Sequence, residues 1–346
     1  MQQELSGVVT RRPKLLVLQL WGLGDLVIAT PFLQAASKKY AVTLLAKPFA
    51  QDLRDRFWPE VRVVPFLAPW TAFRHKYKLW AWPWGEIFRV VRLWSERYDV
   101  GVSWRWDPRD HLLLALVRAR MRIGFPRVDS QIFLTHPLAR PEPEHHIYEN
   151  WRVIARALGL ELPTREKIPV PPARQTGEVL IHSGAGQPVR VWPLERYKGL
   201  IAFLRRQKFT VQVACDPEQR DWWLQAGESS VATPRTVREL LGLLDKARAF
   251  IGNDSGPAHL AGLSGVPTFT IFGPQLPDWF APLHPAGEWL EGKPCPYKPC
   301  SDYCRFPVPY CMVNTSEAEV CTRVGAFLAR GMPGNRVQRV AVEKMG

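Results

Sequence analysis

Asp25 closes the run Gly22-Leu23-Gly24-Asp25, between an apolar segment and a helical one. A carboxylate at the end of a buried strand can take a proton from a hydroxyl. Aspartate is also a favoured helix-capping residue, and the spacing leaves both readings open. Gly22 and Gly24 let the backbone turn sharply and approach a ligand. No third glycine completes a dinucleotide-binding GxGxxG pattern.

A second chemical run is Gly252-Asn253-Asp254-Ser255-Gly256-Pro257-Ala258-His259-Leu260. It follows a strand-like segment and opens a helix-like one. Pro257 suits a first helical turn, where its missing N–H costs nothing, and Asp254 or Ser255 can cap that turn. The free amides and the helix dipole there favour an anion, with His259 placed to donate to a phosphate. The same spacing also suits a plain strand–helix turn with a packed histidine.

Two further features lie upstream. His182-Ser183-Gly184-Ala185-Gly186 follows a strand, its small residues allow close approach, and Arg190 just after it can neutralise a diphosphate. Glu218, after the next strand, can meet a ribose or base, or simply face solvent at a helix start. Near the C-terminus the cysteines run Cys295-x4-Cys300-x3-Cys304-x6-Cys311. The first and last spacings depart from paired C-x2-4-C zinc ligands. They read as half-buried thiols in a Pro-rich loop, with no metal.

The elements that must position these residues follow from the apolar pattern. Lys14 to Leu20 is a short continuous apolar run, as expected of a strand buried on both faces. A helix over Leu26–Lys39, with Pro31 early in it, and a strand over Val42–Ala46 complete a β-loop-α-β unit. Leu112–Met121 reads as a helix and Met121–Gly124 as a strand. Prolines crowd Pro163–Pro172, which reads as a domain linker.

The pattern then restarts. Strands are expected at Glu178–His182, Thr210–Ala214, Ala249–Gly252 and Thr268–Phe272, and helices at Leu194–Gln207, Thr236–Lys246 and Pro257–Ser264. This predicts an α/β protein of two Rossmann-like, doubly wound domains facing a cleft, with ligands at the carboxyl ends of the strands.

Composition narrows the class. The 346 residues are 46% hydrophobic and 23% charged, which excludes disordered, fibrous and disulfide-stapled chains. No apolar run reaches the ~18 residues of a membrane helix. The nearest, Leu15–Thr30, is broken by Gly22, Gly24 and Asp25 and lacks a small-residue cleavage site, so no signal peptide is expected. A cytoplasmic protein with reduced thiols is expected.

The formal charge of +14 points to anionic partners, and 15 tryptophans suit either single-stranded nucleic acid or a membrane interface. Residues 70–127 hold seven of those tryptophans and 12 Lys or Arg against 5 Asp or Glu. No nucleic-acid-binding signature is visible.

Four blocks together resemble glycosyltransferase family 9, the heptosyltransferases. They are KLLVLQLWGLGDLVIATPFLQAA at 14–36, VLIHSGAGQPVRVWPLERYKGL at 179–200, ELLGLLDKARAFIGNDSGPAHLAGLSGVPTFTIFGP at 239–274, and the Cys-rich block ending Cys311-Met312. Residues 50–175 carry no family pattern that the eye can follow.

The resemblance implies a GT-B fold. Residues 1–168 would be the acceptor-side domain, residues 173–325 the nucleotide-sugar domain, and residues 326–346 a tail packing back on the first domain. It implies inverting, metal-independent transfer of a sugar, heptose first, from a nucleotide-sugar donor such as ADP-heptose, with no cofactor. The acceptor would be an anionic lipopolysaccharide-like glycolipid at the inner-leaflet surface, and nucleic acid is not expected. Asp25 would be the general base. Ser183, Gly184, Arg190, Glu218, Asp254, Ser255, Gly256 and His259 would bind the donor. Arg190 stands where the family has lysine, so a planar fork replaces a point charge. Arg74, Lys76 and Lys78 would meet the lipid headgroups. The diphosphate motifs equally suit another nucleotide sugar, and a basic nucleic-acid-binding protein is the reading from a different class.

Overall fold

The computed structural model describes residues 11–71, 80, 84–85, 90, 95–142, 145–300 and 303–330. Arg74, Lys76 and Lys78 lie outside the described residues. The chain divides into two units between Leu162 and Pro163.

The first unit holds a six-stranded parallel sheet: β1 Lys14–Gln19, β2 Ala41–Ala46, β3 Arg62–Pro65, β4 Val100–Ser103, β5 Met121–Gly124 and β6 His136–Pro137. Its order is β3-β2-β1-β4-β5-β6. Central β1 is covered on both faces, and Leu15 to Leu18 are all buried. The chain winds outward from β1 to β3, then returns to β4 on the other side. This reversal opens a crevice between the carboxyl ends of β1 and β4.

The second unit repeats the plan with β7 Glu178–His182, β8 Val211–Ala214, β9 Val231–Ala232, β10 Ala247–Asn253, β11 Thr268–Phe272 and β12 Glu288–Glu291. The order β12-β11-β10-β7-β8-β9 puts its crevice between β7 and β10. Each unit is thus a doubly wound α/β sheet.

Two helices differ from expectation. The segment after β1 forms Leu23–Ile28 and then Thr30–Lys39, with Ala29 between them. Pro31 lacks the N–H that would bind the Val27 carbonyl, and its ring crowds that carbonyl, so one continuous helix cannot form. The helix expected over Leu112–Met121 instead spans Pro108–Leu116. Asp107 caps it by accepting the Arg109 N–H at 3.0 Å, and Pro108 takes the first helical position. Residues 326–330, read as the start of a tail, continue the helix Glu317–Arg330, whose Phe327 and Leu328 are buried in the second unit's core. The remainder, 331–346, lies outside the described residues.

The tryptophan excess divides. Trp58, Trp104, Trp151, Trp192 and Trp223 are fully buried, whereas Trp80 and Trp84 are exposed. Among the described residues no helix is long and apolar enough to cross a membrane.

Candidate functional site

The crevice of the first unit holds Asp25. Leu18 of β1 pairs in register with Ser103 of β4, so the segments after these strands emerge side by side. Trp104 Nε1 donates to Gln19 Oε1 at 2.6 Å and ties them together. Gly22 precedes the helix Leu23–Ile28, and Asp25 is the third helical residue. Its Oδ2 accepts the Gly22 N–H at 3.1 Å, so Asp25 is not the N-cap, which is Gly22, but bonds back to it from within the helix. The other oxygen, Oδ1, accepts from Arg105 Nη2 at 3.1 Å. Gly22 has φ −74°, an ordinary extended conformation, so left-handed freedom is not what selects glycine there.

Arg105 lies over the rings of Trp21 and Trp104, 4.6 and 4.4 Å from their centroids. Lys47, at the end of β2, is close enough for the Asp25 charge to act on it. Burial still lowers its pKa, against the opposing pull of Asp25. Two cations therefore flank this carboxylate. Neither Arg105 nor Lys47 carries a motif. Only the sheet order brings them to Asp25.

The crevice of the second unit is organised by Asn253, the last residue of β10. Its Oδ1 accepts the Trp192 N–H at 3.0 Å and the Tyr197 hydroxyl at 2.9 Å. Its Nδ2 donates to the carbonyls of Ser183 at 2.8 Å and Gly184 at 3.3 Å. One fully buried amide thus locks the loop after β7 to the loop after β10. Asn253→Ala would leave these buried groups unpaired, each lost partner costing ~1–3 kcal/mol. We expect the second unit to lose about 3 kcal/mol, read as a lower urea midpoint at unchanged slope. A loss under ~1 kcal/mol would contradict the role given to this network.

Ser183 is fully buried. Its hydroxyl donates to Gln219 Oε1 at 2.8 Å and accepts from Trp223 Nε1 at 3.0 Å, so its polar capacity is used inside the protein. Gly184 sits against Asp216, and a Cβ there would come within 2.3 Å of that carboxylate. Asp216 is thus the acid that meets the loop. Glu218 is the middle residue of the short 3-10 turn Pro217–Gln219 and is exposed. His182 is buried, and desolvation lowers its pKa against the opposing charge of Asp216.

Asp254 is buried and pairs through Oδ2 with Arg190 Nη1 at 3.2 Å. Ser255 occupies the N-cap of the helix Gly256–Leu263 in extended geometry, but its hydroxyl makes no capping bond. That oxygen is buried and finds no partner among the described residues. The first-turn amides of this eight-residue helix therefore have no side-chain cap. Pro257 is in the first turn as expected, and His259 is buried one turn in from Ser255. Arg190, an uncapped helix start and a histidine thus gather at one strand-order reversal. This arrangement suits a diphosphate.

Cys295, Cys300 and Cys304 are half-buried free thiols and Cys311 is buried. Burial, then the neighbouring Cys304 and Cys295, push the Cys300 thiol up. Among the described residues no three His, Cys, Asp or Glu side chains converge as metal ligands.

A family model described as glycosyltransferase family 9 (heptosyltransferase) matches residues 91–305. The match begins inside the stretch 50–175, where no pattern was legible by eye. The chain is 23% identical over 279 residues to lipopolysaccharide heptosyltransferase 3 of Escherichia coli, covering 72% of this chain and 80% of that protein. The fold is similar to that of a family 9 glycosyl transferase from Veillonella parvula, with TM-score 0.70, 19% identity, and coverage of 93% of this chain and 98% of that one. It is also similar to E. coli heptosyltransferase WaaC solved with ADP, with TM-score 0.69, 17% identity, and coverage of 91% and 99%.

Proposed function

Because this chain belongs to glycosyltransferase family 9, we propose that it moves heptose from ADP-heptose to a hydroxyl of a lipopolysaccharide core or related lipid-linked glycan. Asp25 takes the proton of the acceptor hydroxyl. The acceptor oxygen then bonds to the anomeric carbon from the face opposite the leaving group, and the bond from that carbon to the diphosphate oxygen breaks. The configuration inverts. The departing ADP gathers negative charge, and Arg190, the amides opening Gly256–Leu263 and His259 stabilise it in place of a metal ion. The uncapped helix start beside the Arg190–Asp254 pair is the observation that carries this reading. The net charge of +14 supports work at an anionic inner-leaflet surface on the cytoplasmic side.

A ligand bound only by the folded protein must raise its melting temperature. ADP and ADP-heptose, with EDTA present, are expected to raise that of the wild type by several degrees and that of His259→Ala by less. A larger shift with UDP or GDP would keep the transferase and remove the adenosine donor. No shift with any nucleotide, together with one by an oligonucleotide, would contradict the proposal.

A further inference from the structure

A general base must present one lone pair to the acceptor while the rest of its carboxylate stays still. Asp25 spends one contact of Oδ2 on the Gly22 N–H and one of Oδ1 on Arg105. Arg105 is itself held from several sides. Its guanidinium lies over the indoles of Trp21 and Trp104. Trp104 is fully buried and anchored to Gln19. The Arg105 carbonyl meets His111 Nε2 at 3.1 Å, and His111 Nδ1 meets Ser130 Oγ at 2.9 Å, both inside the unit. Burial lowers the His111 pKa, which favours the neutral ring that this two-sided contact accommodates.

This fixation is more than a surface ion pair requires, because exposed pairs are generally left loose. With the two rings 4.6 and 4.4 Å from its central carbon, the guanidinium directs Nη2 to Asp25 Oδ1 at 3.1 Å. We propose that Arg105 is a positioning residue for Asp25. Set by Trp21, Trp104 and His111, it fixes the carboxylate plane and leaves the free lone pair of Oδ1 for the acceptor hydroxyl. The inference deepens the reading of Asp25 as general base and rests on it. Lysine cannot replace this arginine, because an ammonium is a point charge and presents no planar edge to the carboxylate.

The test is a double-mutant cycle of Arg105→Met and Asp25→Asn in the full chain. Turnover of ADP-heptose, donor KM and melting temperature are read for all four proteins. Misplacement of a reacting group by about 1 Å costs about 10²-fold. Arg105→Met is therefore expected to lower kcat by about 10- to 100-fold at unchanged donor KM. In the Asp25→Asn background the same substitution should change kcat by less than about threefold, since the group it positions is gone.

Equal losses in both backgrounds would overturn the inference, because Arg105 would then act independently of Asp25. So would an unchanged kcat in Arg105→Met beside an inactive Asp25→Asn. If Asp25→Asn keeps wild-type turnover, the base assignment itself fails, which is a separate result. Should Arg105→Met melt early, Arg105→Lys takes its place in the cycle. It is expected to recover less than about a tenth of the activity, and full recovery would overturn the proposal.

Discussion

Asp25→Asn is expected to lower turnover by about 10²- to 10⁴-fold, the usual contribution of a positioned general base. The amide has the size of the carboxylate, and its oxygen can still accept the Gly22 N–H that starts the helix Leu23–Ile28. Arg105 would face a neutral group but keep its stacking on Trp21 and Trp104. The pair it loses is partly exposed, so the melting temperature should move by no more than a few degrees. On the proposed reading ADP binds through residues of the second unit, so its binding should be unchanged. Steady-state ADP release and a melting curve on the same preparation check both halves. A loss below tenfold would remove Asp25 from the chemistry.

The second large effect concerns a residue with no direct part in the reaction. Asp110 is completely buried behind the first crevice and accepts from Trp70 Nε1 at 3.0 Å and Ser103 Oγ at 3.1 Å. Burial, with the nearby charge of Asp107, outweighs these bonds and pushes the carboxyl up to about 7. In the unfolded chain it titrates near 4. Between pH ~4 and ~7 the unfolded chain releases this proton while the folded one keeps it, so the unfolded state binds fewer protons. Stability from this group is therefore full below pH ~4, falls as pH rises and levels off above ~7, by about 4 kcal/mol in all.

Asparagine can make both bonds without ionising, its oxygen accepting from Trp70 and its amide donating to Ser103. Buried His111 and His182 and half-buried His284, whose pKa values desolvation lowers, add a slope of opposite sign in the same window. The informative quantity is thus the difference between wild type and Asp110→Asn. The two should be nearly equally stable at pH 4.5, and the variant should be more stable by about 3–4 kcal/mol at pH 7.5. Urea unfolding at the two pH values reads this directly. A difference that stays constant with pH would mean that Asp110 is ionised in the folded protein.

Residues whose neighbours are local in the chain were legible, and those whose partners come from afar were not. The run KLLVLQ announces β1, and Thr268–Phe272 was bounded to the residue, because a strand buried on both faces reads as a short run rich in apolar and β-branched residues. Gly256–Leu263 was legible because Pro257 and the residues before it carry a helix-start signature. The same signature, Asp107-Pro108, stands before the helix Pro108–Leu116, but the apolar run alone drew the boundary four residues late.

Arg105 lies 80 residues from Asp25 and Gln219 lies 36 from Ser183. Asp25 and Arg105 meet because the strand order reverses between β1 and β4, and Ser183 and Gln219 because β8 pairs with β7; periodicity encodes neither pairing. Asn253 was visible within its motif, yet its four hydrogen bonds reach residues up to 70 positions away. Asp216 and Glu218 both follow β8. Which one meets Gly184 is decided by a single 3-10 turn that no apolar pattern marks.

The most direct test of the account is transfer itself. Wild-type protein would be incubated with ADP-heptose and a lipopolysaccharide core acceptor in EDTA, and the acceptor's mass and ADP release followed. The account predicts ADP release that depends on the acceptor, one heptosyl unit added per ADP formed, and inverted configuration at the new anomeric centre. ADP-heptose left intact in the presence of acceptor, or transfer that appears only when a divalent cation is restored, would contradict it.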